Sequence, residues 1–441
     1  MFYAFVRAVV SLALRLFYRV RVNAPVEEGE GPVLFVGNHP NGLIDPALVF
    51  ILTRRRVTFL AKAPLFKLPV IGALLRGLDA LPVYRKQDDP AQMGRNEGTL
   101  EAARGALVAG RALTIFPEGK SHSEPMLAEL KTGAARIALG AAREGARVRI
   151  VPVGLTYARK NVFRSEVLID VGPAIDVLPY LPADAAGEPD AVRALTERVA
   201  EGLRAVTLNL EEWADLPLIQ LAEQLFALKR GGPLDSERLR LWARGIQVFR
   251  GEAPERFERI RDDLSSFSHR LELVRAAGPA DLSLEYREDT VVPFVVKNLL
   301  ALVCGLPLFV LGMALFGLPY QVPRLASRKT ELDVQATVKF LTSLVLALMW
   351  WAGLTVGATL WRGWPWGVVA FVGVPPLALF TLYFAERWKA LRRDLSVFFI
   401  LGNRQRLRAL LLTEGERLTT EVERLAEEYR PRLDAPATVT R

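Results

Sequence analysis

Three histidines occur in 441 residues, and one of them, His39, follows the apolar run Val33-Leu34-Phe35-Val36 in the stretch GNHPNGLIDPAL, Gly37 to Leu48. Six positions on stands Asp45, with Pro40, Asn41 and Gly42 breaking the chain between them. A loop running from a strand end to a helix start can carry the carboxylate to one imidazole nitrogen. That contact fixes the tautomer and leaves the other nitrogen to accept a hydroxyl proton. With an unperturbed pKa of about 6.5, the imidazole is mostly neutral at pH 7, as a general base must be. The same residues have a plainer use. Asp45-Pro46 is a favoured helix start, Asn41-Gly42 is a turn signal, and His39 then satisfies only a local hydrogen bond. No nucleophile stands nearby: there is no Gly-x-Ser-x-Gly elbow, and the one cysteine, Cys304, sits in an apolar run. If His39 is a base, the hydroxyl belongs to a substrate and the transfer is direct.

A second stretch, FPEGKSHSEP (Phe116 to Pro125), follows the apolar Ala112-Leu113-Thr114-Ile115. Strand-to-loop turns with glycine and basic residues, here Gly119 and Lys120, can offer N–H groups and a cation to a phosphate. Glu118 does not suit a phosphate; it would bind a substrate hydroxyl or hold the loop. Gly-Lys-Ser is not a P-loop, because no glycine stands five residues before Gly119. His122 has neither a spaced second ligand nor a cysteine, so no metal site is expected. Between the two stretches, LPVYRKQD places Arg85 and Lys86 after a short strand. Arginine there could grip a phosphate in a forked contact or form an ordinary surface ion pair.

The elements that must position these residues are short. Apolar runs at 33–37, 57–61, 81–84, 112–116, 148–156 and 167–171 predict strands, and 46–52, 71–76, 97–109 and 130–143 predict helices. The alternation predicts an α/β domain over 25–190, with helices covering a mostly buried central sheet. A charged, periodic helical region follows over 191–290, and a helical tail over 387–441.

Between them, 291–386 carries three uncharged runs: Leu299–Leu318, Phe340–Leu360 and Trp366–Ala385. Each reaches the roughly 20 residues that a bilayer-crossing helix needs. The expected membrane segments are therefore 291–320, 340–360 and 366–385, and the protein is expected to be an integral membrane protein. The formal net charge of +9 could suggest nucleic acid, but basic residues cluster beside the apolar runs (Arg324, Arg328, Lys329, Lys339; Arg387, Lys389, Arg392, Arg393). Lipid explains the charge better, and no nucleic-acid module is present. Three plain crossings would turn both basic flanks away from the α/β domain. A bent or re-entrant hairpin over 291–320, with Gly305-Leu306-Pro307 near its middle, removes that conflict and leaves 340–360 and 366–385 as the spanning pair. The joint Trp361–Trp366 would then lie at the far interface. Over 1–24, Arg7, Arg15 and Arg19 fall within about 120° on a helix, which predicts an interfacial amphipathic helix rather than a signal peptide. A single unpaired thiol fits a reducing compartment.

Four motifs occur in order: Asn38-His39 with Asp45; Leu81-Pro-Val-Tyr-Arg85; Phe116-Pro-Glu-Gly119; and Val151-Pro-Val-Gly-Leu-Thr156. Together with the membrane segments they resemble the glycerolipid acyltransferases, the family of glycerol-3-phosphate and lysophosphatidate acyltransferases, over roughly residues 30–175. The resemblance implies that His39 is the general base, that Asp45 orients it, and that the freed oxygen attacks a fatty acyl thioester. It implies acceptor and phosphate contacts at Arg85, Glu118 and Gly119, beside which Lys120 is a substrate-binding candidate from the loop's own composition, and an acyl-side or structural role for Pro152. Two departures stand out: five residues separate His39 from Asp45 where the family usually has four, and Lys120-Ser121-His122 replaces the usual threonine-arginine. These features, with LKTGAARIAL at 130–139 and the long C-terminal membrane part, are similar to the yeast-type glycerol-3-phosphate and dihydroxyacetone-phosphate acyltransferases.

The implied function is acyl transfer in phospholipid synthesis, from an acyl-CoA or acyl-carrier-protein thioester to glycerol 3-phosphate or dihydroxyacetone phosphate. No cofactor is implied, and the partners are the lipid membrane, the thioester and the acceptor. Acylation of lysophosphatidate is the alternative within the enzyme class, and a lipid-binding scaffold without catalysis is the alternative outside it. The Ala/Leu/Arg-rich composition suits a bacterium, so the expected site is the cytoplasmic membrane with the catalytic domain on the cytoplasmic side. Oligomeric state is not legible.

Overall fold

The computed structural model describes residues 1–433 apart from 27–28, 30, 85–93, 185, 231–235, 277, 284–287 and 403. The chain forms two compact units: Met1–Asn209 with Lys329–Phe340, and Leu210–Arg328 with Leu341–Arg441.

The first unit is built on an eight-stranded sheet: β1 (Arg19–Val22), β2 (Val33–Gly37), β3 (Val57–Lys62), β4 (Leu81–Val83), β5 (Ala112–Ile115), β6 (Arg149–Tyr157), β7 (Glu166–Val171) and β8 (Ile175–Asp176). The order is β1-β7-β6-β2-β5-β3-β4, with β8 beside β6. All pairings are parallel except β6 with β7 and β6 with β8. Parallel strands covered on both faces read as unbroken apolar runs, and β2 (VLFVG) is buried at every position.

Helices α1 (Phe2–Phe17), α2 (Ile44–Leu52), α3 (Pro69–Gly77), α4 (Asn96–Val108), α5 (Gly133–Arg143) and α6 (Glu188–Val206) complete this unit. One core joins Leu107 of α4, Ile137 and Leu139 of α5, and Leu195 and Leu203 of α6 to Leu34, Leu113 and Ile150 of the sheet. The α/β unit therefore continues to Asn209, beyond the boundary expected at 190. The cause is the stripe Val192, Leu195, Val199, Leu203 and Val206 on α6, which is buried against the sheet.

At the N-terminus, the helix expected over 1–24 stops at Phe17. Arg19–Val22 instead pairs with β7, because the alternating sequence RVRV suits a strand and the sheet satisfies its backbone. Helix α1 buries Val6, Val10, Leu14 and Phe17 and leaves Phe2, Phe5 and Leu12 exposed, an apolar outer face fit for an interface.

The second unit contains α7 (Asp215–Arg230), α8 (Ser236–Glu252), α9 (Pro254–Leu273), α10 (Ala280–Ser283), α11 (Glu288–Ala326), most of α12 (Leu332–Arg362), α13 (Trp364–Gly402) and α14 (Gln405–Leu433). Leu218 and Leu225 of α7, Phe267 of α9, and Leu411 and Leu418 of α14 share one core. Ion pairs link α9 to α14: Arg270 with Glu414 at 2.7 Å, Arg256 with Glu428 at 2.8 Å, and Asp263 with Arg417 at 2.8 Å.

Three helical stretches, Leu299–Ala326, Val334–Arg362 and Trp364–Val397, are long and apolar enough to cross a membrane. The hairpin expected over 291–320 is not formed: Glu288–Ala326 is one helix that runs through Gly305-Leu306-Pro307. Proline breaks helices chiefly by orphaning the carbonyl four residues before it, and apolar helices absorb the loss when another donor reaches that carbonyl. Two indoles do this at other prolines, one in α11 and one in α13. Trp350 Nε1 donates to the Leu315 carbonyl at 3.0 Å, four residues before Pro319. Trp351 Nε1 donates to the Phe371 carbonyl at 2.9 Å, four residues before Pro375. The tryptophan-rich joint is a one-residue break at Gly363, whose φ of 89° requires glycine between α12 and α13.

Candidate active site

In the sheet, β2 lies between β5 and β6, with Val36 level with Ile115 and Pro152. The loops after β2 and β5 thus leave side by side at the carboxyl edge, where α/β sheets bind ligands. Gly37 leaves room for the Phe116 ring, which would crowd any Cβ there. That ring stacks on the His39 imidazole with centroids 4.4 Å apart. Asn38 ties the loop to β6 twice: its amide donates to the Leu155 carbonyl at 3.1 Å and its carbonyl accepts the Leu155 N–H at 2.7 Å.

Despite the five-residue gap, His39 and Asp45 meet. His39 Nδ1 lies 2.8 Å from Asp45 Oδ2. The carboxylate is fully buried, while the imidazole keeps 17% of its side chain exposed. Asp45 Oδ2 also accepts the Asn41 N–H at 2.6 Å, and Oδ1 accepts the Tyr157 hydroxyl at 2.6 Å. Burial of Tyr157, with the Asp45 charge beside it, pushes its phenol well above 10. Its proton therefore stays on oxygen as a permanent donor to the carboxylate. Tyr18, raised by the same two causes, donates to the Lys160 carbonyl and accepts from the Asn41 amide at 3.1 Å. With Nδ1–H donated to Asp45, Nε2 is the acceptor and points its lone pair away from the carboxylate.

Glu118 is placed differently from the other candidates. Its side chain is fully buried. Oε2 accepts the His39 N–H at 2.7 Å, and Oε1 accepts His122 Nε2 at 2.8 Å and the Ala128 N–H at 3.1 Å. Of the two uses open to it from sequence, holding the loop is the one these bonds describe. The His122 N–H returns to the His39 carbonyl at 3.1 Å. Lys160 Nζ closes the assembly, donating to the Pro40 carbonyl at 2.9 Å and to Ser123 Oγ at 2.6 Å. The His39 loop is thereby fixed from both sides.

Gly119 turns the chain with φ of 73°, and the Lys131 side chain lies across its α-carbon. Lys120 and Lys131 are both exposed, and neither forms an ion pair among the described residues. Arg85 and Lys86 lie outside the described residues. Among the described residues, no group of three or more His, Cys, Asp or Glu is placed to hold a metal.

Tyr157, Lys160 and Lys131 carry no individual role in the sequence reading. Tyr157 is one residue past the fourth motif, at the end of a buried strand, where a phenol needs a partner. That was the available signal. Lys160 sits in a loop with no pattern around it.

A family model described as Acyltransferase matches residues 18–156. Glycerol-3-phosphate O-acyltransferase 1 of Saccharomyces cerevisiae is 31% identical over 155 residues, covering 33% of this chain and 20% of that protein. Glycerol-3-phosphate O-acyltransferase 2 of the same yeast is 34% identical over 134 residues, covering 30% of this chain and 18% of that one. The similarity thus spans about a fifth of the length of these curated relatives. A crystal structure of the 1-acyl-sn-glycerophosphate acyltransferase from Thermotoga maritima aligns at 19% identity and a TM-score of 0.33, over 46% of this chain and 80% of that one. The ordered motifs and the comparisons agree on one segment of the chain: residues 18–156 match an acyltransferase-family domain.

Proposed function

We propose that this protein is a membrane-bound O-acyltransferase that moves a fatty acyl group from an acyl thioester to glycerol 3-phosphate or dihydroxyacetone phosphate. The observation that carries the reading is the 2.8 Å contact between His39 and the buried Asp45, with Nε2 left to take a proton. Asp45 holds the Nδ1–H tautomer. The acceptor hydroxyl gives its proton to Nε2 as its oxygen bonds to the thioester carbonyl carbon. The tetrahedral intermediate then expels the thiolate, which takes the proton back from the imidazolium, leaving an ester, a free thiol and neutral histidine. Asp45 offsets the imidazolium charge between the two proton transfers. No covalent enzyme intermediate is required.

Phosphate binding falls to the basic rim. Lys120 and Lys131 flank the turn at Gly119, and the second motif assigns Arg85 the same role by its place in the sequence alone. A membrane location suits this chemistry, because the acyl chain and product partition into lipid while the phosphorylated acceptor comes from water. The resemblance to yeast glycerol-3-phosphate O-acyltransferases favours that acceptor over lysophosphatidate.

The test is an assay of purified protein with labelled palmitoyl-CoA. Glycerol 3-phosphate, dihydroxyacetone phosphate and lysophosphatidate are supplied side by side. Glycerol 3-phosphate or dihydroxyacetone phosphate should be acylated fastest, and His39→Ala should slow transfer by about 10²-fold or more. Preferential use of lysophosphatidate would overturn the acceptor assignment. Near-normal turnover by His39→Ala would remove the base.

A further inference from the structure

We propose that this chain crosses the bilayer twice, through α12 and α13. On this proposal α11, apolar and long enough to span, begins and ends on one membrane face and lies embedded in a single leaflet. The argument counts crossings, using each unit by itself. A body folded in water lies on one side of a membrane. In the first unit, Met1–Asn209 and Lys329–Phe340 are one body. The Leu43 N–H donates to Thr337 Oγ1 at 3.2 Å, Lys339 Nζ donates to the Asn161 carbonyl at 2.7 Å, and the Phe340 ring packs on Phe17 at 5.8 Å. The stretch between Asn209 and Lys329 therefore leaves and returns to the same face, so it crosses an even number of times. Within it, α11 alone qualifies as a span among the described residues. One candidate and an even count leave zero crossings.

The second unit gives an independent count. Helices α7 and α9, before the apolar segments, share a core and ion pairs with α14, after them. The stretch from α9 to α14 is therefore also even. With α11 contributing nothing, α12 and α13 cross together or not at all. Their sequences decide for crossing. Phe340–Trp361 and Trp364–Ala385 carry no charge, and each is long enough for a bilayer core of about 30 Å. Trp361, Trp364 and Trp366 surround the turn at Gly363 and are exposed, as indoles at the far interface should be.

The position of α11 against α13 fits. Gly305 and Gly312, one face of α11, lie against Phe384 and Thr381 of α13, and Phe309 stacks on Phe384 at 4.7 Å. Thr381 is 17 residues past Trp364, about 26 Å along a helix, so the contact lies near the end of α13 that re-emerges. Arg387, Lys389, Arg392 and Arg393 follow directly. Leu299, Val303, Leu306, Val310, Met313 and Leu318 of α11 are all exposed. Lipid is the medium that covers an apolar helix whose own hydrogen bonds satisfy its backbone.

The experiment is side-specific labelling of the full-length protein in sealed membrane vesicles with a membrane-impermeant maleimide. Cys304, the native thiol, is first replaced by alanine. Single cysteines then go in at Glu97 on α4, Thr330 between α11 and α12, Arg362 at the hairpin tip, and Glu416 on α14. Labelling after detergent sets full reactivity for each site. Glu97→Cys, Thr330→Cys and Glu416→Cys should react from one side, and Arg362→Cys only from the other. Thr330→Cys reacting from the side opposite Glu97→Cys would make α11 a span and overturn the proposal. Arg362→Cys reacting from the same side as Glu97→Cys would overturn it too.

Discussion

Tyr157→Phe deletes one oxygen from the first unit, and its consequences follow from the bonds around Asp45. The phenol donates at 2.6 Å to Oδ1 of a carboxylate that is fully buried. Asp45 Oδ2 is already shared by His39 and the Asn41 N–H. Phenylalanine keeps the ring and its edge contact with Tyr18 at 5.6 Å, so little packing is lost. What is lost is a hydrogen bond to a buried charge, which contributes about 1.5–3 kcal/mol. Oδ1 is left without a donor. The carboxylate is then free to rotate, which loosens its hold on the Nδ1–H tautomer of His39. If the loss appears in the transition state, turnover falls by about 10-fold to 10²-fold, at about 1.4 kcal/mol per tenfold. The assay is steady-state acyl transfer at saturating thioester and acceptor, with a thermal melt of the same preparations. A lower kcat with both Michaelis constants within about twofold is expected, because Tyr157 touches Asp45 and no substrate. Tyr18→Phe is the control: its hydroxyl bonds Lys160 and Asn41, not Asp45, and turnover should fall less. If Tyr157→Phe retains kcat and melting temperature within error, the support of Asp45 by the phenol is not part of the mechanism.

Asp45→Asn keeps the shape but gives up the charge and can present an N–H to His39, favouring the wrong tautomer; kcat should drop by about 10²-fold or more, and an unchanged kcat would refute the orienting role. Gly119→Ala forces a Cβ into a backbone with φ of 73° and onto the Lys131 side chain. It should lower the melting temperature and turnover, at about 1–2 kcal/mol for the backbone alone. Adding Lys131→Ala should recover part of the stability, and no recovery would mean the clash is not the cause. Alkaline pH tests the buried phenol. Tyr157 titrates well above the ordinary value of about 10, so its contribution is fully present below that pH. Above it the unfolded chain releases a proton that the folded chain keeps, and stability falls as pH rises toward the folded pKa. The drop in melting temperature between pH 9 and about 11 should shrink in Tyr157→Phe; an equal drop would place the titrating group elsewhere.

The sequence by itself determined much of this protein. Unbroken apolar runs such as VLFV and ALTI, short, followed by turn signals and alternating with helical patterns, read as buried strands of a covered sheet, and the residue after such a strand emerges at its carboxyl edge. That made the positions of His39 and Glu118 legible, since both follow directly on such runs. Uncharged stretches of about 20 residues likewise declare membrane embedding from solvation alone. Tertiary structure decided what depends on distant partners. Glu118 was ambiguous between substrate and loop until its two oxygens were found occupied by His39, His122 and Ala128. Tyr157 is 112 residues from Asp45, and only the adjacency of β6 and β2 brings it there. The apolar stripe of α6 could have faced any partner, so its membership of the α/β unit was not readable locally. Hydropathy identifies α11 as fit for lipid but records no direction of travel. Crossing is a property of where the two ends of a segment are held, and packing of Lys329–Phe340 and of α14 holds them.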